Sequence, residues 1–225
     1  MGKAKSRKPM TDRSTETIIT SGGIIAISRG NYGETLLRSV DALLSGGVRA
    51  VEVTFEQNGD PERTAEAIRS LVTHFGDTAA IGAGTVLTLD QLNIAKQAGA
   101  GYVVSPNTDE SIIRETKRLG LGSIPGAMTP SEIVAAHNYG ADIVKRFPAG
   151  ALGPAYFAAV TTPLSHIRCA AVAGVTLENI AAFRKAGACA FGISSTLFNK
   201  KLIAEGRYDE IAKLAEAYVL AAKPV

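Results

Sequence analysis

The feature that most constrains this chain is a repeat of two textures. From about residue 22, short apolar, β-rich runs alternate with amphipathic helical stretches. The strand-like runs are GGIIAIS, RAVEVTF, TAAIGAG, GYVVS, LGSIP, ADIVKRF, IRCAAVA and CAFGIS. Between them lie stretches such as GETLLRSVDALLSGG, DPERTAEAIRSLVTHFG and TLENIAAFRKAG, and with IAEGRYDEIAKLAEAYVLAA as the last helix the count is eight strand–helix pairs. Gly47, Gly76, Gly99, Gly120, Gly140 and Gly187 each follow a helical run and precede a strand, where helices commonly end in a left-handed residue. The sixth helix ends at Pro163 instead. Strands this uniformly apolar suit a parallel sheet covered by helices on its outer face. Eight such units in about 200 residues predict an α/β chain with one (β/α)8 TIM barrel over residues 18–225. A doubly wound open sheet is the alternative, but it usually has fewer strands and more uneven linkers. Residues 1–17 read as a loose basic arm.

Charge and cysteine usage narrow the function classes. The net charge of +3 is concentrated in Lys3, Lys5, Arg7, Lys8 and Arg13, so the body is about neutral and offers no nucleic-acid surface. Cys169 and Cys189 stand alone in apolar runs and read as buried free thiols of a reducing compartment. No run approaches a membrane span, and no signal-peptide core follows the basic start. MGKAKS satisfies the short myristoylation template through Gly2 and Ser6, but the reading preferred is a loose tail. These features point to a cytoplasmic protein without a membrane partner.

In such barrels chemistry sits at the C-terminal ends of the strands. Those ends carry Arg29, Glu52 and Thr54, Gly84–Thr85, Ser105–Pro106, Pro125–Gly126, Lys145 and Phe147, Val172–Gly174, and Ser194–Ser195. Lys145 is the anomaly, an ammonium in the apolar run ADIVKRF. Period-two alternation puts Ile143, Lys145 and Phe147 on one face, and Glu52 with Thr54 opposite Val51, Val53 and Phe55. With the valines against the helices, Glu52, Thr54 and Lys145 face the barrel interior. A purely structural Glu52–Lys145 pair is a poor stabiliser compared with apolar packing. Burial that lowers the lysine pKa toward neutrality instead leaves a free amine as nucleophile. An amine beside a carboxylate suits carbonyl chemistry through a Schiff base, with the glutamate moving protons.

Other chemistries fit worse. His74, His137 and His166 fall in helices or just before a strand, so no metal-ligand cluster and no serine triad can be assembled. GAGTVL resembles a dinucleotide glycine loop but has Leu87 where the third glycine belongs. No metal or cofactor is therefore expected.

The motifs GGVRAVEVTF, IGAGTVL, VSPN, IPGAMTPSE, VKRFPAGALGP and AGVTLENI, in this order and spacing, resemble the 2-keto-3-deoxy-6-phosphogluconate / 4-hydroxy-2-oxoglutarate aldolases. VSPN, GPAYF and VTLENI are closest to the 2-keto-3-deoxy-6-phosphogalactonate branch. The resemblance runs from about residue 22 to the C-terminus. It implies a homotrimer of barrels that cleaves a small-molecule keto acid reversibly to pyruvate and an aldehyde, without metal. Lys145 would be the Schiff-base lysine and Glu52 the general acid/base. Thr85 would help hold the pyruvyl carboxylate and Arg29 would clamp it. Pro106 and Phe147 would wall the pocket, with Thr54 beside the glutamate. Gly174, Ser194 and a helix start at Thr176 would offer groups to phosphate. The same core also suits a non-phosphorylated 2-keto-4-hydroxy acid such as 4-hydroxy-2-oxoglutarate, and a silent sugar-acid-binding barrel is the non-enzymatic alternative.

Four positions depart from the family pattern. Glu56 stands where gluconate-type enzymes carry an arginine. Ala173 replaces the first glycine of the phosphate loop, where a positive φ would cost an alanine about 1 kcal/mol. Ile193 replaces a second common glycine, and Arg146 replaces an apolar residue on the helix-facing side of its strand.

Overall fold

A computed structural model describes residues 14–223. Strands β1 (Ile24–Ser28), β2 (Ala50–Thr54), β3 (Ala80–Gly84), β4 (Tyr102–Val104) and β5 (Gly122–Ile124) pair in sequence order, all parallel. Then β6 (Gly126–Ala127), β7 (Val144–Arg146), β8 (Cys169–Val172) and β9 (Ala188–Ile193) continue the parallel ladder, and β9 returns to β1. The ladder is interrupted only between β5 and β6, which are one stretch of chain broken at Pro125. Across that break Asp142 donates its N–H to the Ser123 carbonyl and Lys145 donates to the Pro125 carbonyl. The barrel therefore closes on eight strands, the fifth of which changes partner at a residue with no N–H to give.

Among the described residues ten helices accompany the strands: α1 (Thr15–Gly22), α2 (Gly33–Ser45), α3 (Pro61–Phe75), α4 (Leu89–Gln97), α5 (Glu110–Arg118), α6 (Pro130–Tyr139), α7 (Ala149–Thr161), α8 (Ile180–Lys185), α9 (Lys200–Ala204) and α10 (Tyr208–Ala221). Their starts are chemically marked. Asp60, Thr88 and Asp109 each accept a backbone N–H at the first turn, and Thr129 with Glu132 forms a reciprocal capping box. Five of the six anticipated glycines are left-handed; Gly76 keeps a right-handed φ of −55°. There the chain runs straight into a turn in which the Phe75 carbonyl accepts from Thr78 and Ala79.

Two apolar layers follow from the strand alternation. Val51, Val53, Val103 and Val144 pack outward against Leu43, Ile68, Ile112 and Phe183 of the helices. Ile25, Ile27, Tyr102, Val104, Ile143 and Val172 fill the barrel interior. Helix α1 closes the N-terminal mouth by inserting Ile18 and Ile19 into that inner layer. It also corrects the expected arm: Ser14 caps the helix and residues 15–17 are its first turn, because the inner layer needs a lid. The basic residues up to Arg13 and the MGKAKS template lie outside the described residues. Among the described residues no helix is long and apolar enough to cross a membrane.

Candidate active site

At the opposite mouth the strand ends surround a cleft of about 430 Å³. Arg29, Glu52, Lys145, Phe147, Gly174 and Ser194 line it, six of the nine residues singled out from the sequence. Thr54, Thr85 and Pro106 stand nearby in the fold but do not line the cleft. Thr54 is buried, and its hydroxyl donates to the Ser28 carbonyl, tying the ends of β1 and β2 together. Thr85 sits at a φ of +56° directly after β3, its carbonyl held by the Gln57 side-chain amide.

Glu52 and Lys145 are 2 % and 7 % exposed, low values for charged side chains. Each alternates with an inner-layer residue of its own strand, Glu52 with Ala50 and Lys145 with Ile143, so both point into the barrel. Among the described residues neither side chain is held by a hydrogen bond or an ion pair. Burial lowers the pKa of Lys145; Glu52 opposes that shift and Arg29 adds to it. Burial likewise raises the pKa of Glu52, against the fields of Lys145 and Arg29. Desolvation dominates both, so each group is biased toward its neutral form. The Lys145 ammonium nitrogen lies 4.8 Å from the centroid of the Phe147 ring, which forms the outer wall beside it.

The room for Glu52 comes from β3. A Cβ on Gly84 would overlap the Glu52 carboxylate, and one on Gly82 would overlap the Tyr102 ring. Tyr102 is a functional candidate absent from the residues singled out by sequence. It is fully buried, and its hydroxyl has no hydrogen-bond partner among the described residues. Nothing local in GYVVS distinguishes this tyrosine from a core aromatic; only the pairing of β3 with β4 brings it over a glycine.

The loop after β8 departs from the expected phosphate cradle. Ala173 adopts the left-handed conformation, with φ +68°, and its carbonyl accepts the Gly150 N–H at 2.8 Å. Gly150 and Gly174 approach so closely that a Cβ on either would lie within 3 Å of the other's Cα. The expected helix start at Thr176 is not there. The Thr176 N–H donates to the Asn179 side-chain oxygen at 2.8 Å, a turn forms over 176–179, and α8 begins at Ile180. Ser194 donates its hydroxyl to the Ile27 carbonyl at 3.1 Å.

The two charged departures are placed as well. Glu56 is exposed and lies beside the Gly30 turn, with no ion pair to Arg29 among the described residues. Arg146 faces the helix layer, where it donates to the Phe157 carbonyl and the Thr161 hydroxyl and lies 4.3 Å from the Phe157 ring centroid. It anchors α7 behind the lysine. Among the described residues no group of three or more His, Cys, Asp or Glu is placed to hold a metal ion.

Comparison with known proteins gives relatives over most of the chain. The chain is 34% identical over 196 residues to 2-dehydro-3-deoxy-6-phosphogalactonate aldolase of Escherichia coli K12, covering 87% of this chain and 94% of that protein. It is 32% identical over 213 residues to the KHG/KDPG aldolase of the same organism, covering 93% of this chain and 97% of the relative. A solved structure described as native KDPGal superposes with a TM-score of 0.79 at 35% identity, over 88% of this chain and 93% of that one. The family model described as "Aldolase: KDPG and KHG aldolase" matches residues 15–214, nearly the whole described barrel, and the chain belongs to that family.

Proposed function

We propose that the chain is a class I aldolase that reversibly cleaves a 2-keto-3-deoxy-6-phospho sugar acid, of gluconate or galactonate type, to pyruvate and glyceraldehyde 3-phosphate. The observation that carries this reading is the pair of desolvated, unbonded groups, Lys145 and Glu52, in one cleft with Arg29.

Burial disfavours the ammonium, so Lys145 presents a lone pair to the C2 ketone. Attack forms a C–N bond and a carbinolamine. Glu52, in its acid form, gives a proton to the departing hydroxyl; water leaves and the iminium forms. The carboxylate then takes the proton of the C4 hydroxyl. The C3–C4 bond breaks, its electrons move into the iminium to give an enamine, and the aldehyde departs. Protonation at C3 and hydrolysis of the imine release pyruvate and restore the amine. Arg29 holds the substrate carboxylate, a geometry that suits guanidinium. Phe147 shields the amine from solvent, while Thr54, Thr85 and Pro106 support the rim. Gly174 and Ser194 face the distal, phosphorylated end of the substrate.

A second substrate reading has its own support. The left-handed Ala173 and the Thr176 N–H already bonded to Asn179 leave fewer backbone donors for phosphate, which favours tolerance of 4-hydroxy-2-oxoglutarate. A homotrimer in the cytoplasm completes the proposal, on the family resemblance; exposed Leu87, Leu89, Met128 and Leu152 supply apolar surface for self-association.

The test is trapping. Pyruvate with borohydride should attach covalently to Lys145, found by peptide mapping. No adduct, or one on another lysine, rejects the mechanism.

A further inference from the structure

Strand β3 turns an almost bare face to the barrel interior: Ala80 lies in the inner layer, and Gly82 and Gly84 follow at the same alternation. Its two neighbours fill the space. From β2, Glu52 leans over Gly84; from β4, the far end of the Tyr102 ring, the carbons that flank and bear the hydroxyl, lies over Gly82. The strand register makes this a row, since Gly82 is paired with Glu52 on one side and with Tyr102 on the other. The ring end that bears the hydroxyl is thus carried over β3 toward the strand that bears the glutamate, at the inward position next to the one the carboxylate covers; such positions repeat roughly every 7 Å along a strand.

A buried hydroxyl without a partner is unusual, because leaving it unmade sacrifices a hydrogen bond that water would have supplied. A phenylalanine would fill the same volume without that cost. Tyr102 is nevertheless a tyrosine, fully buried, and the end of its ring that bears the hydroxyl reaches over Gly82, the residue paired with Glu52. The other charged groups facing Glu52 are Lys145 from β7 and Arg29 after β1, both on the substrate side of the cleft.

We propose that Tyr102 is a positioning residue for Glu52, its hydroxyl donating to the carboxylate from beneath through one buried water, whenever the glutamate is ionised. This rests on the acid/base reading of Glu52 given above. In the cycle, the donor would hold the carboxylate toward the substrate while it accepts the C4 proton, and would lower its proton affinity against the burial that raises it. The coupling runs both ways, since the Glu52 charge is also one of the causes that raise the Tyr102 pKa.

The decisive variant is Tyr102→Phe, which removes one oxygen and keeps the ring. With the hydroxyl as donor, kcat should fall about five- to tenfold. The acid limb of its pH profile should move upward by about one pH unit, with KM for the keto acid little changed. In a Glu52→Gln background the same change should have no further effect on kcat. Placing 3-fluorotyrosine at position 102 keeps the shape and gives a more acidic donor, so the limb should move downward; this arm also serves if the phenylalanine variant does not fold. An unmoved acid limb in either protein, or effects of the two substitutions that simply multiply, overturns the proposal. If instead Glu52→Gln alone retains full turnover, it is the acid/base assignment that fails, and the two failures are distinguishable.

Discussion

The carboxylate of Glu52 occupies the volume that a side chain on Gly84 would fill. Gly84 is not among the left-handed glycines, so an alanine is compatible with its backbone and the conflict is purely with the glutamate. Gly84→Ala should therefore displace a reactive group without unfolding the barrel. Turnover should fall by about 10²-fold, as misplacement by about 1 Å costs well-oriented catalysis. Overpacking should cost about 1–3 kcal/mol of stability. Measuring kcat beside a denaturation curve checks both, and unchanged turnover would mean that the carboxylate is not required where it sits.

Glu52→Gln separates shape from proton transfer. The amide keeps the volume over Gly84 but cannot exchange protons, so kcat should drop by roughly 10²–10⁴. Lys145 should still form a trapped adduct with pyruvate, more slowly, because its nucleophilicity comes chiefly from burial. Near-normal turnover would demote Glu52 to a structural partner.

What the sequence can carry, and what it cannot, divides at strand pairing. Alternation along ADIVKRF and RAVEVTF is local information, and it suffices to turn Lys145 and Glu52 to the interior. The same rule places Arg146 against the helices, where it meets Phe157. The contacts that make the site work are between strands: Glu52 over Gly84 and Tyr102 over Gly82 depend on a register joining segments about 20 to 30 residues apart, which no local pattern encodes. Thr176 fails for a related reason. VTLEN reads as a helix start, yet the Asn179 side chain takes the Thr176 N–H and the Asn179 amide reaches back to the Gly174 carbonyl, delaying the helix by a turn. Helix α1 escapes the pattern because TETIITSG is short, and only the open barrel mouth gives its isoleucines something to cover.

The buried pair should leave a signature in stability against pH, with opposite signs for its two members. The folded-state pKa of Lys145 lies below its ordinary 10.5, so the unfolded chain binds more protons between those two values and stability rises with pH through that window. The folded-state pKa of Glu52 lies above its ordinary 4.5, so the folded chain binds more protons there and stability falls as pH rises from about 4.5 to the raised value. Glu52→Gln should remove that fall, gaining on the natural protein as pH increases above 4.5. Lys145→Met should gain most below the lowered pKa of the lysine and lose its advantage on the approach to 10.5. Urea unfolding at a series of pH values measures both. Parallel curves for all three proteins would show that neither group is desolvated in the way its position implies.

The loop after β8 makes the last prediction, because there one methyl group stands for both a strain and a specificity. Ala173 holds a φ of +68°, a conformation that costs an L-residue with a Cβ about 1–2 kcal/mol and costs glycine almost nothing. Ala173→Gly should relieve that strain, less a few tenths of a kcal/mol for the freer unfolded chain, for a net gain of roughly 0.5–1 kcal/mol. The hydrogen bond from Gly150 to the Ala173 carbonyl does not depend on the methyl, so the loop's course should be kept. Without the methyl, the backbone at 173–174 becomes accessible to a phosphate oxygen. One added contact to a charged oxygen is worth about 1.5–3 kcal/mol, or ten- to hundredfold in affinity. The ratio of kcat/KM for 2-keto-3-deoxy-6-phosphogluconate or its galactonate epimer to that for 4-hydroxy-2-oxoglutarate should therefore rise in the variant. The natural protein should show only a modest ratio, since the Thr176 N–H is already bonded to Asn179. A strong preference for phosphorylated substrate in the natural protein, left unchanged by the glycine, would place phosphate recognition elsewhere in the cleft, and Ser194 would be the first residue to replace.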